Sequence, residues 1–306
     1  MKKILVTGAE GFIGKNLVNY LKNSSYEVLY PTQDQLDLAD SVAVKFFFNN
    51  NNNIDCIVHC ATGQVIDKIY EPNVCEINLK MFFNLLNYRK NDSKLINLGS
   101  GSEYSRDHWI PKMHENYFGK FIPYDAHSFS KYVISKYILE TKKSNLYHLR
   151  IFGLFGKYED YRYKFISNSI VKKIFNIPIT VNKNVIYDYV FIDDFCKIVD
   201  FFINNDSANN DFNITSGQPF DLLSIIYIID KFFGEKTKLK ILKEGFGNEY
   251  TGDNSRLINF ISDLKFSNIE ESIKSLAEYY ISIKNKIDVN SLVDDKFLEY
   301  AKQINP

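Results

Sequence analysis

The chain has 306 residues, close to the length of about 250–300 at which single hydrophobic cores stop growing, so one large domain or two fused ones are expected. Its 37 basic and 37 acidic residues cancel, which disfavours nucleic acid or an anionic membrane surface as a partner. Hydrophobic residues make up 45% of the chain, yet no apolar run approaches the about 18 residues that span a bilayer.

The N-terminal segment MKKILVTGAEGF begins like a secretory signal, but glycines and a glutamate interrupt its apolar run. We interpret it as a strand and expect a cytoplasmic protein. The four cysteines, Cys56, Cys60, Cys75 and Cys196, lack paired metal-binding spacing and are few for a disulfide framework. We therefore expect free thiols and no metal site.

Short β-rich runs alternate with helix-length segments in the first half of the chain. Strands are predicted at KKILVT, YEVLY, DCIVHC, KLINLGS and 147–152, and helices at FIGKNLVNYLKN, SVAVKFFFNN, 70–89 and 125–142. This alternation is typical of βαβ units. The sequence therefore predicts an α/β fold with a Rossmann-type, doubly wound parallel sheet.

The pattern is looser after residue 152, and no repeat or flexible linker separates the halves. Helices are predicted at LLSIIYIIDKFF, 164–176, 269–284 and 290–303, strands at FNITSG and TKLKIL, and a strand that turns into a helix at DYVFIDDFCKIVDFFI. We expect residues 1–163, joined by 185–205, to form a dinucleotide-binding domain. Residues 164–184 and 206–306 are expected to form a smaller α/β domain that binds the substrate.

The segment VTGAEGFIG places Gly8, Gly11 and Gly14 between the first predicted strand and the first helix. In a dinucleotide site the first glycine makes a tight turn, the second lets the pyrophosphate approach the backbone, and the third permits close packing. The helix N-terminus adds free N–H groups and a positive dipole end. Chance turns also contain three glycines, but this position favours a cofactor site.

The spacing G-x-x-G-x-x-G after Thr7 resembles the extended short-chain dehydrogenase/reductases, the epimerase/dehydratase group that acts on nucleotide sugars. The resemblance covers almost the whole chain, including DCIVHCAT, LGSGSEYS, HSFSK, RIFGLFG, YDYVFIDD and FNITSGQP. The first hundred residues are most similar to GDP-L-fucose synthase and related 4-keto-sugar reductases. The resemblance implies cofactor contacts at Thr7, Gly8, Gly11, Phe12, Ile13, Gly14, Asp37, Leu38, Cys60, Ala61 and Lys131.

The residues after the second strand bear on the choice between NAD and NADP. An acid there holds a ribose 2′-hydroxyl, whereas an arginine holds a 2′-phosphate. The NADPH-using reductases of the family carry arginines near Pro31 and Gln33, and this chain has neither charge. The missing acid favours NADP(H), with NAD(H) as the alternative. Asp37 is expected either beside the adenine or as a polar turn residue.

The family's proton relay is a Ser or Thr, a Tyr and a Lys, with the tyrosine four residues before the lysine on one helix face. The phenol protonates a carbonyl oxygen as hydride arrives, and the lysine lowers its pKa and holds the nicotinamide ribose. Here Ser100 and Lys131 align with the serine and the lysine. His127 stands in the tyrosine position.

Tyr132 and Lys136 also have the Tyr-x-x-x-Lys spacing. The flanking pattern of the family, however, matches Pro123 and the run FSKY, which places His127 in the tyrosine position. Residue 132 is also turned by about 140° from residue 127 on a helix with 3.6 residues per turn. We interpret Tyr132 as a packing residue.

His127 has two interpretations. As an imidazolium with a pKa of about 6.5 it would suit proton donation in a reduction at neutral pH. Alternatively the tyrosine is lost, His127 is a bystander, and Ser100 carries or relays the proton. Lys131 does not depend on this choice, because its ribose contact needs no tyrosine.

The resemblance also narrows the reaction. Family 4,6-dehydratases carry Asp and Glu where this chain has Gly101 and Ser102, and Glu103 is one position off. Epimerases of the fucose-synthase type use a cysteine and a histidine, which match Ser102 and the region of Phe165. Neither side chain abstracts a proton next to a ketone near neutral pH. What remains is hydride chemistry at one carbon.

A 4-ketoreductase acting on a nucleotide-linked 6-deoxy sugar is favoured, with a nucleotide-sugar C4-epimerase as the alternative. The resemblance implies substrate contacts at Gly63, Ser102, Arg162, Lys164, Asn168 and Arg256. Arg162 and Lys164 either clamp the diphosphate or lie on a solvated face. Because fold does not imply function, a non-catalytic cofactor-binding protein is a third alternative.

A homodimer is expected, because family members pair the helices equivalent to 70–89 and 125–142. These segments have more apolar surface than one sheet face needs, in Met81, Phe82, Leu85, Tyr132 and Tyr137.

Overall fold

The computed structural model describes residues 1–63, 65–66 and 69–304. Its first half contains β1 (Lys2–Thr7), α1 (Phe12–Lys22), β2 (Tyr26–Leu29), α2 (Ser41–Asn50), β3 (Cys56–His59), β4 (Val65–Ile66), β5 (Ile69–Tyr70), α3 (Val74–Tyr88), β6 (Lys94–Ser100), α4 (Ala126–Thr141) and β7 (Leu146–Ile151). The segment between β6 and α4 includes three short 3₁₀ turns, at Gly101–Tyr104, Arg106–His108 and Glu115–Tyr117.

The second half has shorter strands. It contains β8 (Gly153–Phe155), α5 (Phe165–Ile174), β9 (Ile179–Val181), β10 (Ile186–Phe191), α6 (Ile192–Asn204), β11 (Asp211–Ile214), β12 (Pro219–Asp221), α7 (Leu222–Phe233), β13 (Leu239–Ile241), α8 (Ser255–Phe260), α9 (Ile269–Ser282), α10 (Asn290–Val293) and α11 (Lys296–Ile304). The single helix predicted over 290–303 is broken at Asp295, where the backbone turns to a φ of 42°.

Six strands form one parallel sheet in the order β2-β1-β3-β6-β7-β11. The chain runs outward from β1 to β2 and then crosses to β3 on the other side of β1. In open α/β sheets the ligand crevice lies outside the carboxyl ends of the strands at such a reversal. The predicted Rossmann-type α/β fold is confirmed, and its crevice lies at the ends of β1 and β3.

Helices cover both faces of this sheet, because alternate residues of each strand point to opposite faces. Leu5 and Ile57 belong to the core beneath α2, α3 and α4. Their neighbours Ile4 and Val58 belong to the core beneath α1 and α6, which continues into the second half of the chain. Buried on both faces, these strands read as near-continuous apolar runs.

The strands after β7 form smaller sheets, β12-β10-β8 and β13-β9. One boundary differs from the expected division of the chain. Residues 206–306 were assigned as a block to the smaller domain, but β11 pairs with β7 at the edge of the large sheet. This pairing is between strands distant in sequence, and the local pattern near β11 does not reveal it.

The apolar side chains on which the homodimer expectation was based pack inside a single chain. Met81, Phe82 and Leu85 are buried in the layer between α3 and the sheet, and Tyr132 on α4 is buried against Phe118. Tyr137 is half-buried against Phe82 and Phe83. These five side chains therefore do not form the exposed apolar face that was expected. Within the described ranges, no helix has the length and apolar character needed to cross a membrane.

Candidate active site

The turn between β1 and α1 depends on two of its three glycines for packing. Gly8 has a φ of +64°, and a Cβ there would lie 2.7 Å from the backbone of Ala61. A Cβ on Gly14 would overlap the carbonyl oxygen of Gly8. A Cβ on Gly11, in contrast, would meet only the Gly8 oxygen, at 3.4 Å. The exposed face of Gly11 is thus open to a ligand.

Helix α1 presents unpaired backbone donors at this face. Gly11 is its N-cap and supplies no capping side chain. The first helical bond runs from Lys15 N to Gly11 O, at 2.9 Å, so the N–H groups of residues 12–14 have no acceptor in the helix. Phe12 and Ile13 turn their side chains to the core. The arrangement suits an anionic pyrophosphate, as the glycine spacing predicts.

The end of β3 forms the other wall of the crevice. Thr7 Oγ1 lies 2.8 Å from His59 Nδ1 and accepts from the N–H of Ala61 at 3.4 Å. Burial, together with Lys131, lowers the pKa of His59 to about 3, so its imidazole is neutral. Burial also raises the pKa of the Cys60 thiol to about 12. Cys56, Cys60, Cys75 and Cys196 are all free, as predicted.

The segment after β2 holds Asp37 and Leu38. The exposed Asp37 carboxylate accepts from the N–H of Ala39 at 2.9 Å, a bond typical of a polar turn residue, and its position beside the adenine stays a prediction. Leu38 is buried in the core, and its carbonyl accepts from Asn84 at 2.9 Å. Glu10, which was not predicted, also lies here: its carboxylate accepts from the N–H of Gln33 at 3.4 Å.

Ser100 ends β6 and is held by a buried charged cluster. Its N–H donates to Glu103 at 2.7 Å. Glu103 in turn contacts His148 at 2.8 Å and Arg150 at 3.0 Å. Burial acts to raise the pKa of Glu103, but the facing His148 and Arg150 outweigh it and lower the pKa. Glu103 is therefore a fully buried positioning group that holds the Ser100 backbone, and it does not border the cavity described below.

A series of hydroxyls connects Ser100 to the start of α4. Ser102 Oγ donates to Ser100 Oγ at 3.0 Å, and Ser128 Oγ donates to Ser102 Oγ at 2.8 Å. Asp125 caps α4 by accepting from the N–H of Ser128 at 2.9 Å. Ser100 and Ser102, predicted as catalytic and substrate-binding, are thus brought together.

Helix α4 carries Lys131 and His127 on the side facing Ser100. The buried Lys131 ammonium donates to the carbonyl of Leu98 at 2.8 Å, and burial lowers its pKa. Burial, then Lys131, lowers the pKa of His127 to about 3. Its ring stacks on Tyr70, with centroids 4.1 Å apart. A pKa this low favours a neutral imidazole at neutral pH and disfavours the interpretation of His127 as an imidazolium acid.

Tyr132 and Lys136 lie away from this group. The Tyr132 ring is buried 4.8 Å from that of Phe118. Lys136 pairs with Glu140 on the surface at 2.9 Å. The structure agrees with a packing role for Tyr132.

A cavity of about 520 Å³ opens beside Ser100 and His127. Of the predicted substrate contacts, Ser102 and Lys164 border it. It has three cationic side chains, Arg106, Lys164 and Lys183, and a largely aromatic wall that includes Tyr70, Trp109, Phe152, Tyr187, Tyr250 and Phe297. Of these side chains, only Lys164 was predicted from the sequence. Arg106 and Trp109 follow the LGSGSEYS motif closely, which is the one local signal that could have drawn attention to them.

Gly63 and Asn168 do not border the cavity. The Gly63 N–H donates to Asn78 Oδ1 at 2.8 Å. Asn168 is buried inside α5, and its N–H donates to the carbonyl of Lys164 at 2.7 Å. Both residues are buried in the interior of the protein.

Arg162 and Arg256 are also absent from the residues that border the cavity. Arg162 Nη2 pairs with Asp160 at 2.8 Å. Arg256 extends the buried charged cluster: its guanidinium contacts the carboxylate of Asp211 and donates to the Asp211 carbonyl at 3.1 Å. Arg256 thus forms an internal ion pair with Asp211, and its expected contact with the nucleotide stays a prediction.

The chain belongs to the NAD dependent epimerase/dehydratase family, whose model matches residues 4–215. GDP-L-colitose synthase of Yersinia pseudotuberculosis is 24% identical over 310 residues, covering 92% of this chain and 99% of that protein. Two solved structures are similar in fold. The dTDP-glucose 4,6-dehydratase of Bacillus anthracis in complex with NAD has a TM-score of 0.76 at 16% identity, covering 93% of this chain and 98% of the other. A GDP-L-fucose synthetase from Naegleria fowleri bound to NADP has a TM-score of 0.74 at 14% identity, covering 93% and 95%.

Proposed function

We propose that the protein catalyses the NAD(P)H-dependent reduction of the 4-keto group of a nucleotide-linked 6-deoxy sugar. The observation that carries this proposal is the content of the cavity beside Ser100. The positions at which family dehydratases and epimerases hold an acid and a base are occupied by Gly101, Ser102 and Phe165. A glycine, a hydroxyl and a phenyl ring do not remove a carbon-bound proton. The name of the relative GDP-L-colitose synthase is consistent with nucleotide-sugar chemistry.

The residues around the β1–α1 turn fit a nicotinamide dinucleotide. The open face of Gly11 and the free donors of α1 would hold the pyrophosphate. Lys131 would hold the nicotinamide ribose. When bound, the cofactor supplies hydride to the carbonyl carbon. We propose NADP(H) over NAD(H), because no acid follows β2 directly. The Glu10 carboxylate at Gln33 would have to turn away from a 2′-phosphate.

The cavity suits a nucleotide sugar in charge and shape. Arg106, Lys164 and Lys183 would neutralise the diphosphate, and the aromatic wall would contact sugar or base. The cavity is bordered by Tyr70 and by residues within 100–128 of the first part of the chain, and by residues within 152–189, 222, 248–250 and 297–301. We propose that the segments after β7, apart from α6 and β11, form the substrate-binding part of the molecule.

The assay follows the nicotinamide absorbance of NADPH and NADH with a panel of nucleotide-linked 4-keto-6-deoxy sugars. Loss of absorbance equal to the sugar reduced supports the reductase. A C4-epimerase would instead interconvert nucleotide hexoses without net loss of absorbance. Cofactor binding without turnover on either panel would identify a non-catalytic protein. Light scattering of the same sample tests the homodimer, which stays a prediction.

A further inference from the structure

Tyr250 lies in the loop between β13 and α8, fixed against the smaller sheet. Its N–H donates to the carbonyl of Ile186 at 2.8 Å, and its carbonyl accepts from the N–H of Asp188 at 3.3 Å. Its ring stacks on Trp109, with centroids 4.3 Å apart and planes at 27°. Backbone pairing on one side and ring stacking on the other hold the phenol in one place.

The hydroxyl of Tyr250 lies close to the predicted catalytic serine. Tyr250 Oη lies beside Gly101, the residue that follows Ser100, and Tyr250 and Ser100 both border the cavity. A Cβ at Gly101 would lie 2.6 Å from Tyr250 Oη. Glycine at position 101 therefore lets the hydroxyl approach Ser100. This is one of the two positions at which family dehydratases carry their acid and base.

We propose that Tyr250 is the proton donor for the reduction and that Ser100 relays its proton to the substrate oxygen. This inference rests on the proposed function. The proton donor is then a tyrosine from the second half of the chain. His127, which stands in the position of the family tyrosine, does not take this role.

A cofactor held by the β1–α1 turn and Lys131 would supply the hydride for the new C–H bond at the carbonyl carbon, and the C=O π electrons would move to oxygen. That oxygen takes the Ser100 Oγ proton, and Ser100 takes the Tyr250 Oη proton. The resulting phenolate faces the Arg106 guanidinium until a water proton from the open cavity restores the phenol. The cofactor leaves oxidised and the sugar leaves as an alcohol.

The charges around Tyr250 keep the donor protonated before the step. Burial raises the pKa of Tyr250 to about 12, although Arg106 and the nearby Ser100 hydroxyl act to lower it. The other titratable groups that face it are Glu103, Tyr187 and Tyr300. An alkoxide is a stronger base than a phenolate, so transfer to the developing alcohol is downhill. Neutral His127 has no acidic proton to offer at the same pH.

The test compares Tyr250→Phe with Tyr132→Phe, which removes a phenol from the buried face of α4 away from the cavity. At saturating NADPH and a nucleotide-linked 4-keto-6-deoxy sugar, Tyr250→Phe should lower kcat by about 10²–10⁴-fold, the loss typical of a missing general acid. Tyr132→Phe should retain wild-type kcat. Cofactor titration and the thermal midpoint of Tyr250→Phe should match the wild type.

Two further measurements separate proton donation from a structural role. A ring-fluorinated tyrosine at position 250, being more acidic, should move the alkaline fall of kcat to lower pH, and the same group at position 132 should not. Gly101→Ala should lower kcat in the wild-type background, because its Cβ displaces the Tyr250 hydroxyl. In the Tyr250→Phe background, which lacks that hydroxyl, the same change should lower kcat little further.

Wild-type kcat in Tyr250→Phe, or a slow variant that has also lost cofactor binding, would overturn the inference and leave the proposed function standing. Absence of hydride transfer in the wild type with every sugar would overturn both.

Discussion

Gly11 offers a sharp test of the cofactor site, because the structure separates its role from those of its neighbours. Its φ of −78° and ψ of 173° are ordinary extended values, which valine adopts readily. A Cβ there meets only the Gly8 oxygen at 3.4 Å. Gly11→Val should therefore leave the stability of the fold unchanged or slightly raised. The valine side chain, however, would stand where the pyrophosphate approaches the first turn of α1.

The expected loss of NADPH affinity follows from the hydrogen bonds that a displaced pyrophosphate could no longer accept. Two bonds from the free N–H groups of α1 to an anion are worth about 1.5–3 kcal/mol each. Losing both would raise the Kd for NADPH by about 10²–10⁴-fold. The Kd is measured by fluorescence titration and the stability by urea unfolding.

Gly14→Ala is the matched control for this prediction. Its Cβ overlaps the Gly8 carbonyl, so it should destabilise the fold by about 1–3 kcal/mol. An unchanged Kd in folded Gly11→Val would refute the assignment of the turn as the cofactor site. Unfolding of Gly11→Val would refute the argument that its face is open.

Three other predictions follow from single contacts. The pKa of His127 falls from 6.5 in the unfolded state to about 3 in the folded state, so between these values the unfolded state binds one more proton. The free energy of unfolding therefore falls as the pH drops through that range. His127→Asn should reduce this loss by up to about 1.4 kcal/mol per pH unit, measured by urea titration. Glu10→Gln should tighten NADPH binding and leave NADH binding unchanged; equal changes for both would contradict the position of its carboxylate at Gln33. Arg150→Met removes the buried guanidinium between the carboxylates of Glu103 and Asp211 and should cost about 3–5 kcal/mol of unfolding free energy. A cost under about 1 kcal/mol would show that this guanidinium is not coupled to the two acids.

The large sheet and the cofactor turn were predictable because their signals are local. Each strand from β1 to β7 in that sheet is an apolar run of a few residues, and α1 follows β1 after a turn whose glycines are needed for packing or approach. Such features depend on neighbours within one βαβ unit. The position of His127 was also readable, since motif spacing on one helix does not change with the tertiary structure.

The ionisation of His127 and the fate of Arg256 were not readable in the same way. A histidine titrates near its ordinary pKa unless it is buried, and burial beside Lys131 is a property of the packed chain. Arg256 has the charge for a nucleotide, but its distance from Asp211 decides which anion it meets. The spacing of residues along the sequence gives neither the burial of His127 nor the distance between Arg256 and Asp211.

The residues that border the cavity show most clearly what the sequence determines and what the tertiary structure determines. By itself the sequence determined the family, the parallel sheet and the crevice at the end of β1. Only the tertiary structure brought Tyr250 to Ser100, placed Arg106 in the cavity and moved β11 into the large sheet. These contacts join segments far apart in the chain, and they form because the second half packs over the carboxyl ends of the strands. Their energy comes from burial and from shape, which a linear pattern of residue types does not specify.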